Sequence, residues 1–312
     1  MLSDRRTFLA GALGLAACGR KSGRIRLVLG DQVHLLQSKA EAAGALGDLS
    51  YDVEWANFVG AAPLLEALNA GAVDTAPAGD LPVVLAASAG VPLKIVAGSL
   101  SSTRDIGIIV PGGSPIRSVA GLAGKRVIVS SARGSISHYL LLEALKEAGL
   151  DRREVDIGFM LPHDAAAAFA AGRIEAWATF GTYQIAAEQH GARVLRDGQG
   201  INTGLTLIAA SQAALDDPAK REALRDVVAR FRKASMWSQA HPADYARLFA
   251  RQTRVDPKLA ALIVERQNPL LIPPDAAVIQ PLQRVVDRFH ADGELPSRVD
   301  VASLVDPGIY PA

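Results

Sequence analysis

Cysteine is almost absent from this chain of 312 residues, which contains a single one, Cys18. A lone thiol cannot form a disulfide within the chain or supply a Cys-x-x-Cys redox or metal motif. Because no other cysteine follows it, the rest of the sequence also lacks a thiolate nucleophile for covalent catalysis. The sequence therefore argues against a thiol enzyme and a disulfide-bonded scaffold.

An excess of charge of either sign is lacking too, since 33 Lys and Arg residues face 32 Asp and Glu residues. Because the charges nearly balance, the sequence shows no excess of basic residues of the kind that binds nucleic acid. The sequence contains no internal repeat, and it lacks the HExxH, G-x-S-x-G, Walker and dinucleotide-binding patterns. We therefore expect no cofactor, no metal and no enzymatic activity.

Apolar residues, by contrast, make up 49% of the chain, enough to bury a large core in two lobes. Strand, loop and helix alternate from Ile25 to about residue 210, a pattern typical of parallel strands covered by helices. Consecutive helices follow, and three of them are predicted to begin at Asp217-Pro218, His241-Pro242 and Asp256-Pro257.

The order of these elements predicts an α/β fold of two lobes, each a mostly parallel sheet covered by helices. Lobe 1 is predicted to contain residues 25–105 and 206–312, and lobe 2 residues 106–205. The C-terminal helices can cover the apolar surface of lobe 1 only if the chain crosses between the lobes twice. We therefore expect two hinge crossings, at the boundaries of lobe 2.

The N-terminal segment has the features of an export signal. Residues 3–9 show the twin-arginine pattern, and the apolar run 9–17 is too short to span a bilayer as a mature helix. Residues 15–19, Leu-Ala-Ala-Cys-Gly, resemble a bacterial lipobox. This predicts that the first eighteen residues are an export signal, that Cys18 is lipidated and that residues 19–24 are a tether. The choice between the twin-arginine and the general export route stays open.

A loop of small residues, Ser130–Ser135, joins a β-branched strand to an amphipathic helix in the middle of the chain. A helix N-terminus after such a loop presents free N–H groups and partial positive charge, so it suits an anion. Arg133 adds a guanidinium that can hold an oxyanion. An ordinary turn would also need small residues, but comparable loops recur at Gly60–Ala62 and Gly79-Asp80. The recurrence favours a ligand site at the carboxyl ends of the strands.

Six segments carry a resemblance that runs nearly end to end: GAAPLLEALNAGAVD, AGDLPVVLAASAGVP, VPGGSPIRSVAGLAGKRV, GSISHYLLLEALKEAGL, DAAAAFAAGRIEAWATF and GARVLRDG. In them the chain resembles the periplasmic solute-binding proteins of aliphatic sulfonate, taurine and nitrate uptake systems. The wider superfamily includes binders of pyrimidine precursors. The resemblance implies a type 2 periplasmic binding fold, whose two lobes hold the ligand between them, and the permease of an ABC importer as partner.

The chain departs from the sulfonate binders of this group at three places. Asp31 stands where they often have an aromatic residue, and Phe180-Gly181-Thr182 stands where they often have Trp-Asp-Pro. The central loop has two additional residues, Ser131-Ala132. These changes alter the charge pattern of the cleft, so the resemblance implies the architecture and not the exact ligand.

The candidate ligand-binding residues lie in the loops after the strands and at the starts of the helices that follow. They are Asp31, Gln32, Gly60, Ala61, Ala62, Gly79, Asp80, Arg133, Gly134, Ser135, Ser137, His138, Phe180, Thr182 and Asn202. Structural roles stay open for three of them: a satisfied buried imidazole for His138, a helix cap for Asp80, and core packing for Phe180. Trp177 lies inside a strand, so we expect it in the core.

Together these features predict an extracytoplasmic lipoprotein, a monomer, that captures a small sulfonate-like organic anion and delivers it to an ABC importer. Nitrate or a pyrimidine or thiamine precursor is the alternative ligand. An enzyme on the same scaffold is the alternative function, because the superfamily includes a desulfinase with a nucleophilic cysteine. The position of the only cysteine, in the predicted lipobox, argues against that alternative.

Overall fold

The computed structural model describes residues 24–311, which form two mixed sheets covered by helices. The predicted export signal with Cys18, and residues 19–23 of the predicted tether, lie outside the described residues. Within 24–311, no helix is long and apolar enough to cross a membrane.

Strands and helices alternate as predicted up to β10, after which helices dominate. The strands are β1 (Arg26–Gln32), β2 (Asp52–Phe58), β3 (Thr75–Gly79), β4 (Leu93–Leu100), β5 (Ile106–Val110), β6 (Arg126–Ser130), β7 (Asp156–Met160), β8 (Ala176–Phe180), β9 (Arg193–Asp197), β10 (Leu205–Ser211) and β11 (Leu271–Ile272). The α-helices are α1 (Leu35–Ala42), α2 (Ala61–Asn69), α3 (Asp80–Ser88), α4 (Ile136–Glu147), α5 (Pro162–Ala170), α6 (Gly181–Gln189), α7 (Gln212–Asp216), α8 (Pro218–Ala240), α9 (Pro242–Thr253), α10 (Pro257–Arg266) and α11 (Ala276–Ala291).

The first sheet has six strands in the order β11-β4-β10-β3-β1-β2. β1 pairs in parallel with β2 and β3, whereas β10 lies between β3 and β4 and is antiparallel to both. Side chains of β10 alternate between the two faces: Leu205 and Leu207 pack with α2, α3 and α11, and Ile208 packs with α1, α7 and α8. Both faces of this sheet are therefore covered by helices.

The second sheet has five strands in the order β7-β6-β8-β5-β9. β6 pairs in parallel with β7 and β8, whereas β5 is antiparallel to its neighbours β8 and β9. Helix α4 covers one face, and α5 and α6 cover the other. Trp177 is buried in this second layer, as expected, and its indole nitrogen donates to Ser130 Oγ at 2.9 Å.

The pairing within each sheet is mixed, which corrects one detail of the predicted architecture. β1 to β4 share one direction, and so do β6 to β9, as expected for βα units. β10 and β5 run the other way because each follows a passage from the other sheet. Such a strand begins at the edge of the sheet where the neighbouring strands end, and it therefore runs antiparallel to them.

The two passages between the sheets lie side by side. The chain leaves the six-stranded sheet after Leu100 and returns to it at Leu205. The amide of Ser101 donates to the carbonyl of Gly204 at 3.0 Å, and the amide of Gly198 donates to the carbonyl of Thr103 at 3.1 Å. These passages support the predicted lobe boundaries at residues 105 and 205, which stay a prediction.

The C-terminal helices begin where the proline signals predict. Asp217 and Asp256 cap α8 and α10, each accepting hydrogen bonds from two backbone amides of the first turn. Phe231 of α8 packs on the six-stranded sheet, in agreement with the expected return of the chain. Helices α9 and α10 pack on α1 and also on Ile185 of α6, so they contact elements of both sheets.

Candidate functional site

A cavity of about 260 Å³, the central cavity, lies between the two sheets. Its walls come from the ends of β1, β3 and β10, from the start of α6, and from helices α1, α8 and α9. Seven of the predicted site residues line it: Asp31, Gln32, Gly79, Asp80, Phe180, Thr182 and Asn202. The structure therefore brings together the loops that follow β1, β3 and β8, as expected for ligand sites in open α/β sheets.

A second cavity of about 220 Å³, the side cavity, lies between α2, α3 and the loop 131–135. Five other predicted residues line this second space: Ala61, Ala62, Arg133, Gly134 and Ser135. The predicted site thus divides into two separate groups of residues. Sequence reasoning placed them around one ligand, because it could not determine how far apart the loops lie.

Three predicted residues line neither cavity. Gly60 lies where loops of the two sheets meet, since a Cβ there would be 3.6 Å from Ser131 Oγ. Ser137 is fully buried and donates to the carbonyl of Ser130 at 3.2 Å. His138 is also buried, and its Nδ1 accepts a hydrogen bond from the amide of Gly134 at 3.1 Å.

His138 therefore supports the turn that precedes α4. Burial lowers its pKa to about 4, so the ring is neutral at physiological pH and can keep accepting that bond. Its ring also packs edge-on against Phe159 at 5.2 Å between centroids. These contacts describe a satisfied buried imidazole.

Arg133 is exposed at the edge of the side cavity. Its side chain is 59% exposed and its Nη1 is 3.7 Å from Glu294 Oε2, while the guanidinium lies over the Phe159 ring at 5.6 Å. The Glu294 side chain is largely buried, but an ion pair of this length with an exposed guanidinium contributes little free energy. The residue is available to a ligand in the side cavity but does not line the central one.

Asp31 is a buried carboxyl at the end of β1. It accepts hydrogen bonds from the backbone amides of Gln32, Leu36 and Gln37 at 2.8, 3.2 and 2.8 Å. Burial raises its pKa to about 6, although these amides act in the opposite direction. The carboxyl therefore holds the start of α1 and is mostly ionised at neutral pH.

Two further carboxyls, Asp80 and Asp105, line the central cavity. Asp80 accepts hydrogen bonds from the amide of Leu81 at 2.7 Å and from the hydroxyl of Thr203. Asp105 is 3.4 Å from Nη1 of Arg266. Burial raises the pKa of both carboxyls above the usual value. Each carboxyl has a donor of its own. The helix-cap interpretation of Asp80 is corrected, because Gly79 holds the cap position of α3 without a side-chain hydrogen bond and Asp80 is the first residue of the helix.

Lys39 of α1 is the residue that sequence reasoning missed. It is 9% exposed and lines the central cavity beside Asp31. Its Nζ lies 5.5 Å above the ring of Tyr245 and 3.5 Å from the carbonyl of Pro269. Burial lowers its pKa to about 8, and the negative charge of Asp31 opposes that shift. Nothing near Lys39 in the sequence signals this burial, because Tyr245 and Pro269 come from the C-terminal helical region.

The remaining polar groups of the central cavity offer both donors and acceptors. Ser99, Ser101 and Thr206 line it. Asn202 donates from Nδ2 to the carbonyl of Ile136 at 3.0 Å, while its buried Oδ1 has no partner among the described residues. The cavity can therefore bind a small organic molecule through a few directed polar contacts set in apolar walls.

The comparisons with known proteins agree with this geometry. The model of the family described as NMT1/THI5 like matches residues 52–245. The chain belongs to the NMT1/THI5-like family. A protein of Escherichia coli (strain K12) described as aliphatic sulfonates-binding is 32% identical to this family member over 92% of the chain and 87% of its own length.

Two solved structures are similar to this NMT1/THI5-like protein over nearly their whole length. The alkanesulfonate-binding protein SsuA from Xanthomonas axonopodis pv. citri, bound to MOPS, has a TM-score of 0.83 at 30% identity and covers 91% of this chain and 99% of its own. The periplasmic aliphatic sulphonate binding protein SsuA from Escherichia coli has a TM-score of 0.77 at 29% identity and covers 90% and 97%. The predicted relationship and the predicted periplasmic-binding-protein fold are both confirmed.

Proposed function

We propose that this NMT1/THI5-like protein is an extracytoplasmic binding protein that captures a small organic anion of the sulfonate class and delivers it to an ABC importer. The observation that carries the proposal is the central cavity, whose walls come from elements of both sheets. A ligand that contacts both units favours their closed arrangement. Relatives described as sulfonate-binding support the choice of ligand class.

The cavity supports binding more than catalysis. Its carboxyls are held by backbone amides, by Thr203 and by Arg266, so none is free to act as a base. The sequence has no cysteine after Cys18 that could act as a nucleophile. We therefore propose a binding protein and not an enzyme.

The anchoring proposal rests on the sequence. The Leu-Ala-Ala-Cys-Gly segment supports export followed by lipidation of Cys18, which would hold the protein at the membrane beside its permease. The monomeric state is likewise a proposal.

A thermal-shift panel tests the ligand class. The exported protein is heated with hexanesulfonate, nitrate or a thiamine pyrimidine precursor, each at the same concentration. A ligand at one hundred times its Kd stabilises the folded state by about 2.7 kcal/mol and raises Tm accordingly. We expect the increase with hexanesulfonate; an increase only with nitrate or only with the pyrimidine would contradict the sulfonate assignment and favour that ligand.

A further inference from the structure

Lys39 is a buried cation that faces a cavity and lacks a counter-ion at contact distance. Within residues 24–311, no carboxylate oxygen lies within 4.0 Å of its Nζ. Its contacts are the Pro269 carbonyl at 3.5 Å and the face of the Tyr245 ring. Other partly buried lysines differ, because Lys220 pairs with Asp74 at 2.7 Å. A buried charge without a paired partner is costly, so its presence beside a cavity calls for a functional explanation.

The carboxyl groups that line the central cavity do not act as a contact counter-ion for Lys39. Asp31 uses its oxygens for the amide of Gln32 and for two amides of the first turn of α1, and Asp105 lies against Arg266. Asp80 accepts from Thr203 and Leu81. The Lys39 ammonium is therefore the charged donor of the cavity that remains available to a molecule entering it.

Apart from the carboxyl of Asp31 beside it, Lys39 lies among largely apolar walls. Leu35, Leu36, Tyr245 and Pro269 line this part of the cavity, which we call the α1 end. A charge in such surroundings is screened little by water, so it attracts an oxyanion more strongly than an exposed guanidinium does. Toward the second sheet the cavity is lined by Ile136 and Phe180, which can cover an aliphatic chain.

We propose that Lys39 binds the anionic head group of the ligand at the α1 end, and that the apolar part of the ligand extends toward Ile136 and Phe180. This assignment rests on the proposed function, because it assumes that the ligand is an organic oxyanion. It moves the main charged contact from Arg133, where the sequence predicts it, to a residue of the central cavity.

The test compares three variants by calorimetry with hexanesulfonate. Lys39→Met removes the ammonium and keeps most of the length of the unbranched side chain, and we expect it to weaken binding by about tenfold or more. Lys94→Met is the matched control, because Lys94 is bound to the carbonyl of Ser303 and does not line either cavity. Lys94→Met and Arg133→Ala should leave the affinity within about twofold of wild type.

A pH series supplies a second measurement that a merely structural lysine would not affect. The pKa of Lys39 in the free protein is lowered to about 8, and an anion beside it would raise that pKa. Affinity should therefore fall as pH rises above about 8 in the wild type. The titratable groups beside Lys39 are Asp31, which ionises at lower pH, and Tyr245, whose pKa burial raises above the usual value. In Lys39→Arg the guanidinium stays charged, so the fall should disappear while binding remains.

The outcomes separate the two proposals. If wild type does not bind hexanesulfonate, the proposed function is wrong, and the role of Lys39 falls with it. If wild type binds and Lys39→Met binds equally well, only the role of Lys39 is wrong. Where Lys39→Met does not fold, the pH series decides, because a wild-type affinity that stays constant from pH 7 to 9.5 overturns the assignment.

Discussion

The amide of Ser101 donates a hydrogen bond to the carbonyl of Gly204 at 3.0 Å, and this contact joins the two passages between the sheets. Gly204 has a φ of +76°, and a Cβ at this position would lie 2.3 Å from the carbonyl oxygen of Ser101. The close approach therefore requires a residue without a side chain. It holds the two passages between the sheets side by side.

Replacing Gly204 should destabilise the protein more than replacing another glycine of the same backbone conformation. We expect Gly204→Ala to lower the free energy of unfolding by about 2–4 kcal/mol, because it adds a clash to the strain of a positive φ. Gly200→Ala is the control, since Gly200 has a φ of +77° and nothing within 4 Å of its Cβ position. Urea unfolding measures the free energy of unfolding of both variants. An equal decrease in Gly204→Ala and Gly200→Ala would show that the close approach to Ser101 is not important.

Ligand binding should make the protein more compact. The central cavity has walls from both sheets, so a ligand that contacts both favours a closed arrangement. Small-angle scattering of the exported protein should show a smaller radius of gyration with saturating hexanesulfonate than without it. An unchanged radius with a ligand shown to bind would mean that the protein does not close on its ligand.

Asp31 should make stability depend on pH in a direction opposite to that of a salt-bridged carboxylate. Its pKa is raised from 3.8 to about 6, so the folded state binds the proton more tightly than the unfolded state. The contribution is fully present below about pH 4 and is lost as pH rises through 6. Between those values the wild type should lose up to about 3 kcal/mol relative to Asp31→Asn.

Urea unfolding of both proteins at pH 4, 5, 6 and 7 checks this dependence. His138 acts in the same range with the opposite sign, because its lowered pKa removes stability as pH falls toward 4. The comparison with Asp31→Asn cancels that contribution, since His138 is present in both proteins. A difference between the two proteins that stays constant over this range would contradict the raised pKa of Asp31.

Removing the predicted lipid should release the protein from the membrane without changing its ligand. Cys18→Ala should move the protein into the soluble fraction, because acyl chains supply about 0.8 kcal/mol per buried CH₂. Membrane fractions washed with carbonate, followed by calorimetry on the released protein, make the measurement. Equal retention of wild type and variant after the wash would contradict lipidation of Cys18.

The parts of the fold that could be predicted from the sequence are those encoded by neighbouring residues. Asp217-Pro218 and Asp256-Pro257 start helices because a cap and a first-turn proline act locally. Asp31 and Asp80 could be placed at the central cavity for the same reason, since Asp31 lies at the carboxyl end of β1 and Asp80 directly follows β3. Their partner amides, those of Gln32, Leu36, Gln37 and Leu81, lie within six residues of them along the chain.

What the sequence could not show depends on contacts between distant segments. Lys39 is buried because Tyr245 and Pro269, from the C-terminal helical region, cover it. The separation of Arg133 from the central cavity depends on how the two sheets are arranged, which no local pattern encodes. The mixed pairing of β5 and β10 likewise follows from the two passages and not from the residues of these strands.

A crystal structure of the exported protein with hexanesulfonate, with the sulfur located by its anomalous signal, would show directly where the anionic head group binds. We expect the sulfonate in the central cavity, with one of its oxygens about 2.8 Å from Nζ of Lys39. The hexyl chain should then extend toward Phe180. A sulfonate found in the side cavity beside Arg133, or outside both cavities, would show that Lys39 does not bind the ligand.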